Sequence, residues 1–233
     1  MNLQKLSIAA LLILFGVVAY AQPYNYPVRP GDEEWKNFNN STEMYLACEI
    51  PTNVINSLST RDLVSSVLNY PMIGTIYAYD NPQAGFNSLV EKSNAFKELL
   101  HREDAGRELI NVYIKMNPDR FDNSWTEIKK GEYSLGFSYI EIILAQEEIL
   151  KNLTFYERKN LVRLCLDKYD KKNSHKNIYS TYGLSTSIWV VNRIMEEGKP
   201  ISDMDNYAFY KYGLVTNFDV FNAVVSKARN YIK

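Results

Sequence analysis

Soft metal ligands and strong nucleophiles are scarce in this chain: 233 residues hold two His and two Cys. Cys48, His101, Cys165 and His175 lie far apart and offer no short-spaced pair for zinc. Asp119, Asp122 and Asn123 cluster, but without the loop glycine and closing Glu of a calcium hand. No phosphate-cradling glycine loop, dinucleotide fingerprint or Gly-x-Ser-x-Gly elbow occurs, and Ser174 beside His175 sits in a Lys-rich stretch. The expectation is therefore no cofactor and no metal. An excess of one charge is also missing, since 26 Lys and Arg face 27 Asp and Glu for a net charge of -1. That balance excludes a broad polyanion-coating surface, and nucleic acid is not an expected partner. Proline and glycine are sparse, eight and ten, while 46% of residues are hydrophobic and 23% charged. Disordered, collagen-like and coiled-coil chains are excluded.

Long apolar runs are missing too, apart from one. Leu6–Ala19 is broken only by Ser7 and Gly16 and follows Lys5. At about 14 residues it falls short of the roughly 20 that cross a bilayer. Ala19-Tyr20-Ala21 supplies a small-x-small cleavage site, so residues 1–21 read as a secretory signal cut after Ala21. Without those 21 residues, Lys5 among them, 212 remain with a net charge of -2. No later stretch is long enough to span a membrane, and the expected destination is the periplasm or the exterior. Export leaves a Cys48–Cys165 disulfide open. Burial as small hydrophobes on helix faces accounts for both cysteines without a bond.

Residues 22–31, with three prolines and two tyrosines, read as an extended leader lying on the surface, outside the core. Residues 32–233 read as one helical domain, with apolar positions three and four apart and a start or stop signal at each break. Asp32, Ser41, Ser59 with Asp62, Asn81 before Pro82, Asp104, Thr154 with Glu157, Ser202 with Asp205, and Asn217 are the expected caps. Pro71 starts a brief helix. Glu132–Leu153 is the most apolar stretch and is expected as one central helix, paired antiparallel with the next across a short turn. Lys171–Tyr182 reads as a polar break. The fold expected is all-α, an irregular array of about ten helices in antiparallel hairpins, resembling helical repeats but without an exact period. A compact orthogonal helical bundle is the alternative.

Ile50-Pro51, the run Ser59-Thr60-Arg61-Asp62-Leu63-Val64, Asn69-Tyr70-Pro71, and Tyr79-Asp80-Asn81-Pro82-Gln83-Ala84-Gly85-Phe86 carry a resemblance. Over roughly residues 28–116 the chain resembles a group of exported bacterial all-helical proteins of uncharacterised function. The resemblance implies export and helices, and no activity.

Tyrosine is the compositional oddity, 18 in all, with pairs at Tyr77/Tyr79, Tyr179/Tyr182 and Tyr210/Tyr212. A flat apolar face with a hydroxyl suits both protein contacts and sugar stacking. Tyr77, Tyr79, Asn81 and Gln83 are the candidates to rim a binding patch, although helix capping is the simpler account of the Asn81-Pro82 junction and needs no ligand. Glu141 is the candidate carboxylate, because glycoside hydrolysis needs only two acids at a suitable separation. Its helical stripe of Ser134, Ser138, Ala145 and Glu148 makes it read as a wetted groove wall or outer surface. The segment 151–176 carries eight Lys or Arg against three acids and reads as a solvated face. Two functional readings result. The favoured one is an exported helical module that binds a protein or peptide, its partner another envelope or extracellular protein; the rival is a secreted hydrolase acting on glycan or cell-wall material through carboxylates.

Overall fold

The computed structural model describes residues 22–233. The expected export signal over residues 1–21 lies outside them. Twelve α-helices follow in order: α1 Ser41–Ala47, α2 Thr52–Ile55, α3 Thr60–Leu68, α4 Pro82–Lys92, α5 Asn94–His101, α6 Ala105–Lys115, α7 Glu127–Leu144, α8 Glu147–Leu150, α9 Phe155–Asn173, α10 Lys176–Glu196, α11 Met204–Tyr212 and α12 Phe218–Tyr231. Short 3-10 helices cover Glu34–Asn37 and Ile73–Ala78, and no strand occurs among the described residues. The all-α architecture matches the pattern of apolar spacing in the sequence.

Helix starts follow cap chemistry. Ser59 accepts from the Asp62 amide, Asn81 from Ala84 with Pro82 at the first helical position, and Asn217 from Asp219. Thr154 and Glu157 form a reciprocal capping box. Three expected caps shift by one residue: Glu33 rather than Asp32 precedes the first 3-10 helix, Asn40 rather than Ser41 caps α1 and Asp203 rather than Ser202 caps α11. The Asp104 side chain makes no cap bond and instead accepts from Thr60 Oγ1 at 2.7 Å, tying α6 to α3. The brief helix after Pro71 is a 3-10 turn.

The core centres on α10, which lies against both α7 and α9. Its Trp189 is fully buried and donates from Nε1 to the Tyr210 carbonyl at 2.8 Å. α9 and α10 are an antiparallel pair: Lys172 meets Gly183 beside the turn, and Arg158 meets Glu197 at the far end. α9 does run back against the direction of α7, but each of them packs chiefly on α10 rather than on the other. At the other end α3 packs on α5 and α6, while α4 touches both α7 and α11 and closes the array. Gln83 on α4 is thereby bonded to Arg193 on α10, 110 positions away.

Four expectations need correction. The leader is extended, but Tyr26 is only 2% exposed and belongs to the core. It packs edge-on against Tyr24 and Tyr70, and the Tyr24 amide donates to Ser66 Oγ at 2.8 Å. The apolar stretch 132–153 is two helices, because the chain turns at Ala145–Gln146 before α8. The polar break 171–182 narrows to the turn Ser174–His175 and a non-helical residue at Ser180, and Lys172 within it is buried in an ion pair. Glu141 is neither groove wall nor surface but fully buried, as are Ser138 and Ala145 of its stripe. Cys48 and Cys165 are both buried free thiols.

Candidate functional site

The brief 3-10 turn, the start of α4 and the loop after α11 converge on one groove of about 310 Å³. Gly85 sets the first contact. A Cβ there would lie 2.1 Å from the Ile76 carbonyl oxygen, so only glycine lets α4 press onto Ile73–Ala78. On the opposite wall, Gly213 ends α11 in the left-handed region (φ 71°), against the Trp189 ring, and turns the chain into Leu214 and Val215.

Tyr77, Tyr79 and Asn81 all line this groove, beside Thr181, Tyr182, Leu214 and Phe218. The Tyr77 ring lies 5.3 Å from that of Tyr182 and 5.6 Å from that of Tyr139. Its hydroxyl is buried and has no partner among the described residues, and burial raises its pKa well above the phenol range. Tyr79 is bonded to Ser88 and receives the Lys92 ammonium at 3.2 Å; these two bonds, that to Ser88 first, lower its pKa. Asn81 spends its side-chain oxygen on the Ala84 amide at 2.9 Å, so it caps α4 and walls the groove at once. Among the described residues Asp80 is the one charged residue in the lining. Leu214 and Phe218 stay exposed at the mouth, Phe218 by 59%.

Gln83 turns the other way. Its amide joins Asn87, Gln146 and Arg193, and it lines a separate cleft. Glu141 is brought to neither. Tyr113, Lys172, Thr186 and Ser187 all donate to its carboxylate, and the cluster is sealed from solvent. It therefore has no access to a glycan. Among the described residues no three His, Cys, Asp or Glu come together to hold a metal ion. His175 contacts Asp119 at 3.2 Å and packs on Phe121.

Sequence reasoning found one wall of the groove and missed the other. Tyr182 carried a signal only as half of a tyrosine pair; Leu214, Val215 and Phe218 carried none. The far wall depends on a break inside α10, where Ser180 adopts φ 51°, ψ 179°. That region is costly for any side chain other than glycine, by about 1–3 kcal/mol. The break lets Tyr179 point inward, its hydroxyl donating to the Pro118 carbonyl at 2.6 Å, while Thr181 and Tyr182 face the groove. Ser180 is exposed and strained beside the groove wall. Ser180→Gly should raise the unfolding free energy by about 1–2 kcal/mol in urea titration, because glycine adopts this backbone without strain and the side chain it removes is exposed. An unchanged or lower midpoint would contradict strain at this position.

Compared with protein-family models, curated proteins and solved structures, the chain matches none.

Proposed function

We propose that the protein is an exported binding module whose groove takes a short segment of another envelope or extracellular protein, anchored by one bulky apolar side chain. The observation that carries this reading is the groove itself. Tyr77, Tyr182, Leu214 and Phe218 supply apolar faces, and Asp80, Asn81 and Thr181 supply polar groups that can orient a backbone. Among the described residues neither Lys nor Arg lines it, which favours neutral or basic segments. Exposed aromatics in a concave site match the anchors that dominate protein interfaces. Ser180 adds support, because strain held beside a wall is typical of binding sites.

Peptide display against residues 22–233 tests the reading. Selected sequences should share a bulky apolar residue, and Phe218→Ala should weaken their binding at least tenfold while leaving the thermal midpoint within a few degrees, since Phe218 is largely exposed. Selection of no peptides, together with binding of neutral oligosaccharides that Phe218→Ala abolishes, would replace the peptide by a glycan. Such ligands would stack on the same tyrosines.

Export belongs to the same proposal. The resemblance over residues 28–116 favours it, and so does the position of Tyr26, buried only five residues past Ala21. Protein recovered from the producing cells should begin at Gln22 by N-terminal sequencing. Material still carrying Met1 would overturn cleavage.

A further inference from the structure

A second cleft, of about 260 Å³, lies on the far side of the ridge where α4 begins and α11 ends. Asn81 and Pro82 face the groove while Gln83 faces the cleft; Gly213 and Leu214 face the groove while Lys211 and Tyr212 face the cleft. On each element adjacent residues, Pro82 and Gln83 or Tyr212 and Gly213, therefore face the two hollows. The cleft is walled by Gln83, Asn87, Gln146, Lys211 and Tyr212 together with two carboxylates, Glu147 and Glu148, and Arg193 reaches it from α10.

Arg193 is an unusual guanidinium. Its side chain is 6% exposed and lies near the rings of Trp189 and Tyr210, at 5.4 and 5.0 Å. Nη2 donates to Gln83 Oε1 at 2.7 Å and to the Lys211 carbonyl at 2.9 Å. Nη1 donates to Glu147 Oε1 at 2.6 Å, and Nε is buried with no partner among the described residues. A buried guanidinium calls for a planar, bidentate anion, and a fork with an idle Nε is incompletely served. Glu147, its one ion-pair partner among the described residues, has a side chain 66% exposed. A carboxylate so wetted can be exchanged for another that makes the same bond to Nη1.

We infer that this cleft receives a carboxylate, which takes the place of Glu147 on Arg193, and that the carboxylate is the C-terminal end of the peptide whose last bulky side chain occupies the neighbouring groove. The inference rests on the peptide reading above. Lys211 offers the cleft its carbonyl while its ammonium is bonded to the Tyr207 hydroxyl, so Arg193 alone holds the carboxylate, with Glu148 the acid that stays beside it; the narrow ridge allows one short segment to reach both hollows.

The test uses residues 22–233 and three probes: N-acetyl-Ala-Ala-Phe as the free acid, the same peptide as its C-terminal amide, and acetate. Calorimetric titration should give at least tenfold tighter binding of the acid than of the amide. Glu147→Gln removes the competing carboxylate, and it should tighten the acid about threefold or more and leave the amide unchanged. Because Glu147→Gln leaves the buried Arg193 without its carboxylate, the free variant should melt below the parent and the bound acid should raise its midpoint more than it raises the parent's. Equal affinities for acid and amide, or weakening of the acid by Glu147→Gln, would overturn the carboxylate inference and leave the peptide reading standing. Binding of acetate with neither peptide bound would assign the cleft to small free carboxylates and overturn the C-terminal assignment. No binding of any probe would overturn the inference as a whole, while the display selection judges the peptide reading separately.

Discussion

Glu141→Gln is expected to lower the unfolding free energy by about 3–5 kcal/mol, the cost of breaking one side of a buried ion pair. Lys172 is fully buried, with its ammonium 2.6 and 2.7 Å from the two Glu141 oxygens, 2.8 Å from the Gly183 carbonyl and 3.0 Å from Ser187 Oγ. The amide would leave that charge facing neutral acceptors only. Burial already holds the Lys172 pKa below its ordinary value, with Glu141 the largest opposing influence. Removing the carboxylate pushes it lower still. The sign of the pH dependence follows: between the depressed folded pKa and the ordinary 10.5, the unfolded chain binds more protons, so the stability of the variant recovers as pH rises through that window. Adding Lys172→Met to Glu141→Gln removes the stranded charge and should restore most of the loss, because Tyr113, Thr186 and Ser187 keep an oxygen to donate to. Urea titrations of parent, single and double variants measure the coupling. A single variant within 1 kcal/mol of the parent, or a double variant below the single, would show that the pair is not the keystone its burial implies.

That pair also marks where the sequence stops being readable. Caps are local, so Ser59, Asn81, Thr154 and Asn217 declare themselves within three residues, and the helices follow from them. Glu141 does not, because a helical stripe records polarity but not what faces it; its partners come from α6, α9 and α10. Lys172 misled for the same reason, standing in a basic run that otherwise reads as solvated. Tyr26 lies in a proline-rich segment with no periodicity, and its burial depends on Tyr70, 44 positions away. One wall of the groove, Tyr77 to Asn81, was legible from a turn rich in tyrosine and cap residues. The other wall needed the Ser180 break and the α11 end to be placed beside it, and no short-range pattern encodes that. Gln83 sits two residues from Asn81, yet one helical step turns it to a different cleft.

Alkali should unfold the protein cooperatively from just above pH 10. Tyr26, Tyr70, Tyr113 and Tyr179 are buried, and burial is the leading cause that lifts each of their pKa values above 10. For Tyr113 the neighbouring Glu141 charge adds to the lift, its oxygen 2.5 Å from the phenol. Each of these groups binds its proton more tightly folded than unfolded, so stability is intact below pH 10 and falls as the unfolded chain begins to release protons. One pH unit above 10 each contributes about 1.4 kcal/mol, so the four together remove about 6 kcal/mol. Small domains have only about 5–15 kcal/mol to lose. Cys48, pushed up to about 11, acts in the same direction from a lower pH. Lys168 and Lys172, both lowered by burial, act oppositely up to about pH 10.5 but are outnumbered. Circular dichroism at 222 nm and tyrosinate absorbance at 295 nm, followed together, should show a fraction of the tyrosines ionising only as helix is lost. Tyr26→Phe should move that midpoint upward, because it removes one titrating group whose hydroxyl has no partner among the described residues. Ionisation of every tyrosine with the helix signal intact would mean that these rings reach solvent and that the aromatic core is not closed.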